Sequence, residues 1–141
     1  MKAWEGVAIW VALGLLLQSV ERHKNQAAAL AWRSVSRKPI LSVGARRDLF
    51  GDVRCDLNPA GPDVQRCDAQ ALPYRNKQFS VAYLSHVLEH VDDPRLAYRE
   101  AQRVADTVIA ATPSPLFPMA WIMPGHKWIM ASPEQPLWKI R

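Results

Sequence analysis

The feature that most constrains this chain is the series of short apolar runs after Pro39, each closed by a turn or acidic residue. Ile40-Leu41-Ser42-Val43 ends at Gly44, and Asp52-Val53-Arg54-Cys55 ends at Asp56. Val64-Gln65-Arg66-Cys67 ends at Asp68, and Phe79 to Leu84 leads into Ser85-His86. Runs of this length, rich in β-branched and aromatic residues and bounded by Gly, Pro, Asn or Asp, read as strands. Asp92-Asp93-Pro94 is a helix start, because an acidic N-cap satisfies free amides and proline fits the first turn. The helix Arg95 to Val104 places Ala97, Ala101 and Val104 on one inward stripe. Thr107 to Ala111 is a further strand, stopped by Pro113 and Pro115. This order predicts an α/β domain with a mostly parallel sheet of about five strands, buried on both faces.

Ligands of such sheets lie at the carboxyl ends of the strands. Here those ends carry Gly44, Asp56, Asp68 and Ser85/His86. A glycine lets a ligand approach the backbone. A carboxylate accepts hydrogen bonds from a ribose diol or an adenine amine.

These segments resemble the class I S-adenosylmethionine-dependent methyltransferases of type 11, over about Pro39 to Pro115. Ile40 to Gly44 is similar to the first-strand glycine motif beneath the methionine part of the cofactor. Asp56 matches the acid that holds the ribose hydroxyls. Cys67-Asp68-Ala69-Gln70-Ala71-Leu72-Pro73-Tyr74 resembles the segment whose aspartate faces the adenine amine. Phe79 to Val91 resembles the fourth strand and the H-V-L-E-H-V stretch after it, and Ala111 to Pro115 the fifth-strand end. The resemblance implies a Rossmann-like fold and S-adenosylmethionine as cofactor. It implies Gly44, Asp56, Asp68, Ala69, Leu72, Ser85 and His86 as cofactor-binding residues, with Leu72 an apolar contact for adenine. No catalytic residue is assigned. Ser42 stands where the family has an acid, and the link between the first two strands is too short for the usual helix. No sixth or seventh strand is evident. An active methyltransferase and a degenerate, non-catalytic module of the same fold therefore both stay open.

Gly6 to Leu17 carries no charge, and residues 3–20 form an apolar stretch near the lower limit for crossing a bilayer core. Trp4 and Trp10 suit an interface. Arg22, Lys24, Arg33, Arg37 and Lys38 follow, which by the positive-inside rule places the folded part in the cytoplasm. A cleaved signal peptide and a helix buried against the domain or a partner are the alternatives. Gln26 to Lys38 reads as a second helix or a continuation of the first, ended by Pro39. The organisation expected is an anchor helix with a basic linker at residues 1–38, an α/β domain at 39–117 and a Trp/Pro-rich tail at 118–141.

Net charge is +5, from 18 Lys and Arg against 13 Asp and Glu. The basic residues are scattered without a stripe of interleaved aromatics, so no nucleic-acid partner is expected. The partners expected are the membrane and a small-molecule, glycan or lipid-linked acceptor. Cys55 and Cys67 fit neither a CxxC metal pair nor a disulfide framework, and read as half-buried strand residues in a reducing compartment. His86-Val87-Leu88-Glu89-His90 fits H-x-x-E-H, in which both histidines bind zinc from one helical face. The stretch lies between a strand and a helix start, with room for one turn only, so no metal is assigned. Gly125-His126-Lys127-Trp128 resembles a segment after the fifth strand of some relatives. It reads as a pocket cover, an interfacial segment or a loop packed over the sheet edge.

Overall fold

The computed structural model describes residues 2–141. The first element, α1 (Ala3–Ser36), is a single unbroken helix. Nothing between Gly14 and the Ala-rich segment breaks it, so the apolar stretch and the basic segment are one rod. Arg37 ends it in the left-handed region (φ +58°), with its N–H on the Arg33 carbonyl at 2.9 Å, and Pro39 prevents continuation.

Five strands follow: β1 (Ile40–Val43), β2 (Val53–Asp56), β3 (Gln65–Arg66), β4 (Phe79–Ser85) and, after α2 (Pro94–Val104), β5 (Ala105–Ala111). They form one parallel sheet in the order β3-β2-β1-β4-β5. The order reverses between β1 and β4, which is the topological switch point where α/β sheets bind ligands. The fold is the Rossmann-like α/β arrangement expected. The third strand is shorter than Val64 to Cys67, and α2 passes into β5 without an intervening turn.

Strand alternation divides the core between the two faces. Leu41, Val43, Ala82 and Leu84 pack beneath Ala97, Ala101 and Val104 of α2, joined by Phe79 at the start of β4. Ile40, Val81 and Tyr83 on the other face pack with Ala29 of α1. The Asp93 carboxylate caps α2 by accepting from the Leu96 amide at 3.0 Å. Ion pairs tie α1 to the sheet side, Arg22 with Asp48 and Arg33 with Asp52 at 2.8 Å, and Lys38, just past the helix, pairs with Asp106 at 2.8 Å.

Parallel neighbours normally need a crossover of about a dozen residues or more. Between β1 and β2 there are only residues 44–52, and they contain no helix. The C-terminal half of α1 covers the face that a crossover helix would cover. Gly51 (φ +97°) lets the link lie close, since a Cβ there would sit 3.0 Å from the Ser42 Cβ. Ser42 is therefore small for a packing reason.

Two expectations are corrected. Cys55 and Cys67 are bonded as a disulfide, and both are buried. Pairing of β2 with β3 carries the two positions to a Cα–Cα separation of 5.6 Å, a proximity that the sequence spacing does not disclose. The tail, where the sequence makes no sixth or seventh strand evident, carries two. It forms α3 (Pro118–Ile122) and an antiparallel hairpin of β6 (Trp128–Ser132) and β7 (Gln135–Lys139), separate from the main sheet. Register shifts around Met130 admit Pro136 into the hairpin and obscure its alternation.

Candidate functional site

The carboxyl edge of the sheet opens into two adjoining clefts. The first, of about 460 Å³, lies over β1, β2 and the segment after β3 and is lined by Gly44, Asp56, Asp68, Ala69, His86 and Val87, among others. The second, of about 930 Å³, lies between β1, β4 and α1 and is lined by Gln18, Arg22, His23, Arg47, Ser85 and His86, among others. Both volumes fall in the range of small-molecule sites. Val43, Gly44 and His86 line both, so the clefts meet at the switch point.

Gly44 has φ +73°, and a Cβ on it would come 2.4 Å from Val87 Cγ2. Both facts demand glycine. Its amide and that of Ala45 donate to the Cys55 carbonyl at 2.8 and 3.1 Å, which binds the turn to the end of β2. Asp56 is held from both sides: Oδ2 accepts from the Arg46 amide at 3.0 Å and Oδ1 from the Asn58 amide at 2.7 Å. Each oxygen keeps a second lone pair for a ligand. Asp68 Oδ1 accepts from the Gln70 amide at 2.8 Å. Gln70 Oε1 in turn accepts from the Asp93 amide at 2.8 Å, so the loop after β3 is tied to the start of α2. The disulfide sits directly behind both acids, joining the residues that precede them.

His86 adopts φ +57°, an uncommon conformation for a residue other than glycine, costing on the order of 1–2 kcal/mol. This sharp turn at the end of β4 brings Val87 against Gly44. The His86 amide donates to the Ala111 carbonyl at 2.9 Å. Its Nδ1 lies 3.1 Å from Glu89 Oε1, and Glu89 is only 1% exposed. A carboxylate only accepts, so Nδ1 carries the proton and Nε2 has the lone pair.

Gly44, Asp56, Asp68, Ala69 and His86 are thus brought onto one cleft. Ser85 lines the second cleft instead, and Leu72 is buried in the core beneath α2. Sequence reasoning missed the α1 wall of the second cleft and the support of His86 by Glu89. The three-residue spacing of His86 and Glu89 was a signal for the latter once a turn was expected there. His86 to His90 is turn and bend rather than helix.

A parallel sheet ordered 3-2-1-4-5, with a glycine turn after the first strand and acids after the next two, defines an α/β domain of the kind whose ligands lie at the switch point. Residues 25–107, more than half of the chain, match the methyltransferase domain family of type 11, and the chain belongs to this family of S-adenosylmethionine-dependent methyltransferase domains. Domains of this family generally bind S-adenosylmethionine. The match begins within α1, so the helix is in part an element of the domain. No curated protein matches the chain.

Proposed function

We propose that this protein is a membrane-anchored methyltransferase that holds S-adenosylmethionine in the first cleft and receives its acceptor from the second. The observation that carries the reading is the rim of Gly44, Asp56 and Asp68. It offers a turn without room for a Cβ, followed by two positioned carboxylates with free lone pairs. These features fit the cofactor. Asp56 would hold the ribose hydroxyls, Asp68 and Ala69 the adenine, and Gly44 would admit the methionine end.

When bound, the cofactor supplies an electrophilic methyl group on a sulfonium leaving group. The chain's own part is to position the acceptor and, for an oxygen acceptor, to remove its proton. His86 is the residue for that role. It faces both clefts, and Glu89 holds its tautomer as the carboxylate does in histidine–aspartate pairs. Arg22, His23 and Arg47 suit an acceptor with hydroxyl or anionic groups: a small molecule, a glycan or a lipid-linked form of either. The lipid-linked form is favoured because the apolar part of α1 runs directly into the cleft wall at Leu15, Gln18 and Ser19.

Residues 3–20 serve as the anchor: α1 has one stretch apolar enough to cross a bilayer, almost none of it buried. The basic residues after it favour a cytoplasmic domain. The disulfide favours a second reading, with the domain on an oxidising side. Maleimide labelling of intact cells with and without reductant separates the two. A non-catalytic module is the second reading of activity, favoured by Ser42 and the helix-free link after β1.

Calorimetric titration of the detergent-solubilised full chain with S-adenosylmethionine and S-adenosylhomocysteine decides between them. Micromolar binding of both, lost in Asp56→Ala with thermal unfolding unchanged, supports the enzyme. No binding by the folded wild-type chain leaves the non-catalytic module. His86→Ala is expected to keep cofactor binding and lose turnover.

A further inference from the structure

Beside the first cleft, the turn after β4 meets the turn before β6. Glu89 Oε1 faces His86, but Oε2 is buried and accepts from no partner among the described residues. A buried carboxylate oxygen without a donor is costly and calls for a partner. His90 Nδ1 lies 3.0 Å from the Gly125 carbonyl, and His126 Nδ1 lies 2.9 Å from the Ala120 carbonyl. Carbonyls only accept, so in both rings Nδ1 carries the proton and Nε2 has the free lone pair. The two rings meet edge to face with centroids 4.8 Å apart. One donor atom from each of Glu89, His90 and His126 lies within 4.8 Å of the others.

From this arrangement we infer that Glu89, His90 and His126 form a binding site for a divalent transition metal ion, zinc foremost. Two neutral imidazoles and a carboxylate are a zinc donor set that leaves a fourth position for water. A ring N–H held by a backbone carbonyl is the outer arrangement that fixes metal-binding histidines. The orphaned carboxylate oxygen is what a purely packed cluster would not leave behind. Bonds of about 2.0–2.1 Å set tetrahedral donors about 3.4 Å apart, so the cluster must draw in by about an ångström. His90 is the exposed member, and it can approach only together with the Gly125 carbonyl that holds its ring.

The site differs from the H-x-x-E-H reading of the sequence. That reading pairs His86 with His90 on a helix, whereas here His86 supports Glu89 and the third ligand comes from the tail. The amides of Lys127 and Trp128 already donate to the Glu89 carbonyl at 2.7 and 3.2 Å. A metal ion would complete this junction and fasten the C-terminal segment to the sheet beside the cofactor cleft, of which His90 and Lys127 are walls.

The test uses the tag-free, detergent-solubilised full chain, stripped with chelator and titrated with zinc, and then with cobalt(II) as a spectroscopic probe. One equivalent of zinc should bind and raise the unfolding temperature, and cobalt should give the absorption of a four-coordinate site. Removing a ligand should weaken zinc by about 100-fold or more, since even outer partners contribute 10–100-fold. His90→Ala, an exposed position, tests this without loss of the fold; Glu89→Gln keeps shape and removes the anionic oxygen. A folded wild-type chain that binds no zinc, or that binds it as well after His90→Ala and His126→Ala, overturns the inference.

Discussion

Arg103 is the residue whose loss should be felt furthest from its own position. Its guanidinium donates to Glu100 through Nε and Nη2, both at 2.7 Å. It also donates to the Leu72 carbonyl at 2.8 Å, the Tyr74 carbonyl at 2.8 Å and Asn76 Oδ1 at 3.0 Å. Glu100 Oε2 accepts in addition from the Leu72 amide at 2.9 Å. The clamp fixes the segment that follows Asp68 onto α2. Bonds to charged groups contribute about 1.5–3 kcal/mol each when buried, but the Arg103 side chain is 33% exposed, so water replaces part of them. Arg103→Ala should therefore cost about 3 kcal/mol and lower the unfolding temperature by roughly 10 °C. Arg103→Lys should recover less than half, because it restores the charge but not the fork. The effect carries a pH signature. The hydrogen bond from Arg103 and the one from the Leu72 amide hold the Glu100 carboxyl below its usual range. That stabilisation is present above the unfolded-state pKa of about 4.3 and is lost as pH falls through the lower folded value. The gap between wild type and Arg103→Ala, measured by thermal melts followed in the near-UV, should narrow below about pH 4. A loss under about 0.5 kcal/mol, or a gap constant from pH 6 to pH 3, would refute the clamp.

Gly44→Ala should lose cofactor binding and about 2–3 kcal/mol of stability, because positive φ and the 2.4 Å approach to Val87 both oppose a Cβ. Adding Val87→Ala should relieve only the clash, a partial recovery that melts would detect. Tyr98 donates to Glu134 Oε1 at 2.7 Å; burial first, then this carboxylate, pushes its pKa up to about 12. A phenol raised in this way adds stability that is full below the unfolded value of about 10 and lost as pH rises through about 12. Burial also raises Tyr74 and Tyr83, so ultraviolet titration should show three late tyrosines, with the step at about 12 absent in Tyr98→Phe. Reducing the Cys55–Cys67 bond should lower stability by about 3 kcal/mol on loop-closure grounds and weaken binding at Asp56 and Asp68; equal melts with and without reductant would count against it.

The strands and α2 were legible because local chemistry sets them: apolar runs closed by turn residues, and an Asp-Pro helix start. Gly44, Asp56, Asp68, Ala69 and His86 were placed together because a parallel sheet delivers its strand ends to one edge. What stayed hidden depends on pairing across the chain. Cys55 and Cys67 meet only because β2 and β3 are neighbours. His126 reaches Glu89 from a different turn, with no local pattern to announce it. Leu72 takes its place from the same motif, and its burial beneath α2 is set by packing that the motif does not display. Continuity of α1 was undecidable from sequence, since Ala-rich segments start and extend helices equally well.

That continuity couples the proposed anchor to the proposed acceptor cleft. The 34 residues of α1 span about 51 Å. Ala29 is fully buried against Ile40, Val81 and Tyr83, and the pairs from Arg22 and Arg33 to Asp48 and Asp52 fix the lower half to the sheet side. Leu17, where the apolar run ends, lies only about 8 Å along the rod from Arg22 in the cleft wall. If the run sits in a bilayer, the cleft mouth is held at its surface without a flexible linker. A helix docked this way both replaces the missing crossover helix and sets the height of the site above the membrane. A lipid-linked acceptor then needs to leave the bilayer by little more than one helical turn, whereas a soluble acceptor gains nothing from the arrangement.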